Sequence, residues 1–152
     1  MRLLKILLNW FKAKRNRLFF KPIDATRHLN GDALGIYLAM NDYLKKLGAS
    51  HELINEYGLW DVATTRTFFE PEEGWRVLVK QLKFEGVPNP WVIEETIDRT
   101  SRFIKQDGTI DATEFVRIVV APWLSSRYKY VGVGVNYTRD GNTRYRVSVI
   151  LG

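Results

Sequence analysis

The chain has 152 residues, enough for one hydrophobic core and too few for two ordinary domains. Its 45% apolar content and 13% aromatic content exclude a wholly disordered chain, and the absence of Cys excludes disulfides, thiolate metal sites and a Cys nucleophile. The net charge of +6 is segmented, with +7 on residues 1–21, −6 on residues 22–116 and +5 on residues 117–152, so two basic ends flank an acidic middle.

Met1 to Phe20 reads as a basic amphipathic helix. Leu4, Leu8, Phe11 and Leu18 recur at helical spacing beside Leu3, Leu7 and Trp10, while Arg2, Lys5, Asn9, Lys12 and Asn16 lie opposite. The longest uncharged run, Ile6 to Phe11, falls far short of the about twenty residues a membrane span needs. Lys5 interrupts the apolar stretch and no small-residue cleavage site follows, so a signal peptide is not expected, and the location is read as intracellular or virion-associated. Pro22 ends the segment. The chain therefore divides into a helical arm, residues 1–21, and a globular domain, residues 22–152. Such an arm docks on its own body, on a protein partner or on an anionic membrane surface. The residues expected to make that contact are Arg2, Lys5, Leu7, Leu8, Trp10, Phe11, Lys12, Lys14, Arg15 and Arg17.

Asn30-Gly31-Asp32 supplies a turn and an N-cap for a helix from Ala33 to Leu47, closed by Gly48. Its apolar positions go most of the way round, from Leu34 and Leu38 to Met40 and Leu47, which predicts a central helix. Ser50 caps a short helix from His51 to Tyr57, ended by Gly58. Val62 to Phe69, dense in β-branched and aromatic residues, is the best candidate for a third strand beside the C-terminal pair. Pro71 with Glu72 and Glu73 starts a helix to about Lys83, with Trp75, Leu78, Val79 and Leu82 inward. Asn89-Pro90 repeats that start, and Ile93, Ile97 and Ile104 mark one stripe of a helix over Trp91–Ile104. Asp111-x-x-Glu114 is a capping box for a helix from Ala112 to about Ala121, stopped by Pro122.

Tyr130 to Leu151 contains two period-two runs around Asp140-Gly141-Asn142, a β-hairpin. A two-residue loop would set Val135 against Arg146. A three-residue loop, Asp140 to Asn142, pairs Val135 with Val147 and Tyr137 with Tyr145, and is preferred. In that register Val133, Val135, Val147 and Val149 share a buried face, with Arg144 and Arg146 on the other. Gly132 and Gly134 leave one side of the first strand bare, which predicts close approach by another backbone or a large ring.

Candidate chemistry is sparse. Ile104 to Phe115 resembles the second half of an EF-hand loop, with Asp107, Gly108, Ile110, Asp111 and Glu114 in register. Phe103 and Lys105 then stand where oxygen ligands belong, so the segment is read as an Asp-Gly turn before a capped helix. His51 with Glu52 and Glu56 matches no recognised metal spacing, and His28 precedes a turn. Glu72-Glu73 and Glu94-Glu95 are carboxylate pairs placed on helix starts or solvated faces. Arg127, Lys129, Arg139, Arg144 and Arg146, interleaved with Tyr128, Tyr130 and Tyr145, form a possible polyanion patch able to hold a phosphate backbone or stack a base.

Trp123-Leu124-Ser125-Ser126, then Val131-Gly132-Val133-Gly134-Val135, then Tyr145 to Gly152, resemble the end of a CAP-superfamily domain (cysteine-rich secretory, antigen 5, pathogenesis-related) over residues 112–152. The resemblance implies an α–β–α sandwich. It also implies a cleft of His and Glu residues, to which His51 and Glu94 or Glu95 would correspond, although no His follows Trp123; the site would be degenerate. The fold class expected is α+β, a mostly helical domain with a small antiparallel sheet. The expected function is non-enzymatic: a structural or interaction subunit of a larger assembly, such as a virus particle, docking through its basic arm. No cofactor, metal, small-molecule substrate or catalytic residue is expected. The alternatives are binding of a polyanion (nucleic acid or anionic membrane surface), the CAP-like domain with a degenerate site, and a hydrolase whose site assembles only in three dimensions.

Overall fold

The computed structural model describes residues 2–7, 21–68, 75–140 and 142–152. In chain order the elements are a helical stretch over residues 2–7 (α1), α2 (Gly31–Lys46), β1 (Ile54–Asn55), α3 (Tyr57–Arg66), α4 (Trp75–Phe84), β2 (Trp91–Asp98), α5 (Ala112–Phe115), β3 (Tyr130–Asp140) and β4 (Asn142–Leu151). The fold is α+β, with one four-stranded mixed sheet in the order β1-β3-β4-β2.

The hairpin sets the frame. β3 and β4 pair antiparallel with Val135 opposite Val147 and Tyr137 opposite Tyr145, the register that the apolar alternation favours. One face of the sheet carries Val131, Val133, Val147, Val149, Ile93 and Ile97, all buried against α2 and α5. The other carries Ile150 and Val92, buried with α1, α3 and α4. Gly132 and Gly134 lie on this second face, where the backbone of α3 crosses. A Cβ at Gly132 would sit 2.1 Å from the carbonyl carbon of Leu59, and one at Gly134 would sit 2.6 Å from that of Ala63. The bare side of β3 is therefore filled by another backbone.

Three expected elements are corrected. The strand expected over Val62 to Phe69 is not formed by its described residues, 62–68, since α3 runs from Tyr57 to Arg66; Phe69 lies outside the described residues. Leu59, Val62, Ala63 and Arg66 recur at helical spacing and are all buried, and the Glu56 carboxylate caps the helix by accepting from Leu59 N at 2.9 Å. Packing against the glycine lane outweighs the local β-propensity. The helix expected over His51–Tyr57 is absent as well, because Ile54–Asn55 form β1, parallel to β3, and Gly58 lies inside the first turn of α3. Trp91–Ile104 is not a helix either. Trp91–Asp98 is β2, antiparallel to β4. Ile93 and Ile97, four residues apart, share a side in a strand as they do in a helix, so their spacing fits both periods. β2, not Val62–Phe69, flanks β4.

Smaller departures follow the same logic. Asn30 is the N-cap of α2, while the Asp32 carboxylate accepts from Ile110 N at 3.0 Å. Ile36, Tyr37, Met40 and Leu44 are buried, but Leu38 and Leu47 are 55% and 62% exposed, so α2 packs on one side rather than centrally. Asp111 caps α5 through Glu114 N at 3.2 Å. The helix then widens into a π-helical turn over Val116–Val120, which keeps Val116 and Val120 both buried, and Pro122 sits within a 3-10 turn, Ala121–Trp123, rather than ending the α-helix. In α4, Leu78 and Leu82 are buried as the spacing predicts. Among the described residues, no helix is long and apolar enough to cross a membrane.

Candidate interaction site

Of the arm, the structure describes α1 and Lys21. Leu3 and Leu7, one helical turn apart, are buried against Leu59, Val62, Leu78, Leu82 and Ile150. The inward stripe is thus Leu3–Leu7, with Leu4 half-buried beside it. Arg2 and Lys5 are exposed and Ile6 is 40% exposed, so the outer side of α1 is basic with an apolar centre. Leu8, Trp10, Phe11, Lys12, Lys14, Arg15 and Arg17 lie outside the described residues.

The backbone places the five cations of the expected polyanion patch in two groups. Arg127 and Lys129 precede β3, whereas Arg139 and Arg144 are placed by their backbone at the hairpin tip, about 30 Å further along the strand. Arg127 lies over the ring of Tyr128, 5.1 Å from its centroid, and donates to its hydroxyl at 3.2 Å. Arg146 is half-buried on the α3 face, in register with Asn136 and Thr96. Tyr128 is buried, and Tyr145 meets Tyr137 edge-on at 5.1 Å while donating from its hydroxyl to the Gly108 carbonyl at 2.6 Å. Tyr128 is thus packed in the core, and Tyr145 is tied to the turn over residues 104–108.

The carboxylates have structural partners. Glu56 is fully buried and accepts from Ile23 N at 3.3 Å as well as from Leu59 N. Glu94 meets Arg66, whose side chain is 2% exposed; Arg66 Nε donates to Glu94 Oε1 at 2.7 Å, and Nη2 contacts the same oxygen. Burial pushes the Glu94 carboxyl above the usual carboxylate range, against the opposing pull of Arg66. Glu95 points to the opposite face, so the two adjacent carboxylates cannot act as a pair. Partial desolvation raises its carboxyl too, although the side chain is exposed. Glu72 and Glu73 lie outside the described residues. His51 Nε2 is 3.0 Å from the Tyr128 carbonyl, and His28 stacks on Trp60 at 5.3 Å.

An open groove of about 680 Å³ lies between the start of α2, the turn over residues 104–108 and the Tyr137–Tyr145 pair. It holds the EF-hand-like segment. Asp107 closes its own turn by accepting from Thr109 N at 3.0 Å and Thr109 Oγ1 at 2.6 Å, bonds that hold its carboxyl below the usual range. Gly108 has φ +84°. The Glu114 carboxylate is taken by Arg117 at 2.7 Å and Arg102 at 2.9 Å, and these partners lower its pKa. Among the described residues, no group of three His, Asp or Glu is placed to hold a metal ion.

Sequence reasoning missed the Arg66–Glu94 pair. Its signal was present: an Arg on the stripe Leu59, Val62, Ala63 and Arg66 calls for a buried acidic partner. No family model, no curated protein and no solved structure matches the chain. The helices on both sheet faces give the layering that the CAP resemblance implies, but layering of this kind is common to many folds. His51 and Glu94 are not brought together: His51 sits beside Tyr128, before β3, and Glu94 is level with Gly134 and two strand spacings, about 10 Å, across the sheet.

Proposed function

We propose that the protein is a non-enzymatic interaction subunit of a larger assembly, docking through its basic N-terminal arm. The observation that carries this reading is the seating of α1: Leu3 and Leu7 fix the start of the arm to the body, and Arg2, Lys5 and Ile6 face outward. An anchored helix presents its charges at a fixed place on the surface and loses less entropy on docking than a free one. Replacing Arg2, Lys5, Lys12, Lys14, Arg15 and Arg17 by Glu, with Leu3 and Leu7 kept, tests it. The reversed chain should melt as the parent does but lose self-assembly or partner binding, read as mass in solution. Unchanged assembly would refute the reading. The same cations favour a polyanion as the second reading. Retention of the parent on heparin that falls steeply with salt, without change in mass, selects that reading instead.

A further inference from the structure

We propose that the open edge of β2 accepts an extended peptide carrying an apolar or aromatic residue and, four positions away, a Lys or Arg. Among the described residues β2 is the last strand of the sheet, with β4 as its strand neighbour. In an antiparallel ladder alternate residues turn both N–H and C=O away from the paired strand. Across residues 92–97 no described residue bonds those outward groups. The opposite edge is different. β1 is two residues long and its outer side is taken by the Ala25 N–H, which donates to the Asn55 carbonyl at 2.7 Å, and by Asn55 Nδ2, which donates to the Ala25 carbonyl at 3.2 Å. One edge is covered, and the other presents residues 92–97 with no strand partner on the outer side among the described residues. Strand addition to such an edge draws affinity from the main chain and specificity from alternate side chains.

The side chains beside the edge define the occupant. Trp91 and Glu95 lie on the same face of β2, four residues and about 13 Å apart. Trp91 stacks on Trp123 at 4.8 Å. Trp123 is 49% exposed, so the stacked pair makes an apolar ledge at the start of the edge. Glu95 is exposed and has no ion-pair partner among the described residues. On the other face Glu94 is already matched by Arg66. An added strand therefore meets an apolar ledge and, four positions on, an unmatched carboxylate. A second copy of β2 is a poor occupant. Antiparallel pairing centred on Glu95 would set that carboxylate against its equivalent at about 5 Å, and like charges directly opposite are destabilising.

The probe is a synthetic eight-residue peptide, the length of β2, alternating Thr and Val with one Phe and one Lys four positions apart. Binding to the full chain is read by tryptophan fluorescence and calorimetry. The Lys peptide should bind at least about tenfold tighter than its Glu counterpart. The same peptide N-methylated at alternate residues, which removes its outward donors, should not bind. Glu95→Lys, a change at an exposed position, should keep the melting temperature and reverse the preference toward the Glu peptide. The proposal is overturned if the N-methylated peptide binds as well as the parent, if neither charged peptide binds, or if Glu95→Lys leaves the preference unchanged. It is also overturned if sedimentation shows that the chain already pairs with itself through β2.

Discussion

The two faces of the sheet are built on opposite principles. Toward α2 and α5, Val131, Val133, Val147 and Val149 project from β3 and β4 and are buried in a continuous aliphatic layer. Toward α3, the corresponding rows hold Gly132, Gly134 and Ser148, and the helix backbone descends onto the sheet until a single Cβ would collide. Where that lane ends, the contact turns from backbone to charge, with Arg66 of α3 reaching Glu94 of β2. The first face is held by side-chain volume and loses stability when volume is removed. The second has its own apolar cluster around Ile150, but at its centre it is held by missing volume and by one buried ion pair, so there it loses stability when a methyl is added or a partner is deleted.

The largest effect should come from the ion pair. Glu94→Ala leaves the buried Arg66 guanidinium with no acceptor from this position, which even a protonated Glu94 would supply, and should cost about 3–5 kcal/mol in denaturant unfolding. Replacing both residues together, Arg66→Met with Glu94→Leu, should be near neutral, because the pair's own attraction mostly offsets its desolvation. A Glu94→Ala loss below about 1 kcal/mol would mean that the pair is solvated and behaves as a surface bridge.

Next comes the direct contrast between the faces. Gly132→Ala adds one carbon 2.1 Å from the Leu59 backbone, which cannot swing aside as a side-chain tip can. Overpacking typically costs about 1–3 kcal/mol, and this case should sit at or beyond the upper end. Val133→Ala removes two carbons from the fully buried valine layer and should cost about 2 kcal/mol, the low end for buried aliphatics. Gly134→Ala, at 2.6 Å, should fall below Gly132→Ala. If Gly132→Ala is milder than Val133→Ala, α3 is free to lift off the sheet, and the two faces do not differ in kind.

What the sequence disclosed tracks the same division. The valine face was legible because alternation in β3 and β4 is local, and a one-residue slip would have put Val135 against Arg146. The glycines announced a close approach but could not name what approaches, since α3 lies some seventy residues away in sequence. The middle of the chain misled for a physical reason. Val62, Thr64, Thr65 and Phe68 favour strands locally, whereas the helical stripe Leu59, Val62, Ala63 and Arg66 prevails once the glycine lane receives it. Ile93 and Ile97 satisfied both periods, and the decision for β2 comes from pairing with β4, a partner absent from any local window. At the candidate site, the exposed charges of Arg2 and Lys5 were legible, but the anchor Leu3–Leu7 depends on a groove made by α3, α4 and Ile150.

The smallest effect is a dependence on pH that separates the faces by charge. Burial raises the Glu94 carboxyl, with Arg66 opposing, and partial desolvation alone raises Glu95, whose side chain reaches solvent. A raised carboxyl means that the folded chain binds its proton more readily than the unfolded chain. Stability therefore rises as pH falls through the folded pKa and levels off below the ordinary carboxylate value. Asp24, Asp107 and Glu114 work the other way. Hydrogen bonds from Thr26, Thr109 and Arg117 hold their carboxyls low, so their contribution is present above the ordinary value and is lost as pH falls through the lowered pKa. The two groups act in different windows, the raised pair first on acidification and the lowered three afterwards, which predicts a stability maximum in weak acid. Glu94→Gln should flatten the rise on the near-neutral side and leave the loss at lower pH in place. Melting temperatures of both chains taken from pH 7 to pH 3 measure this. A parent chain whose stability only declines on acidification would show that Arg66 outweighs burial at Glu94, and that the α3 face is held by a net attractive pair.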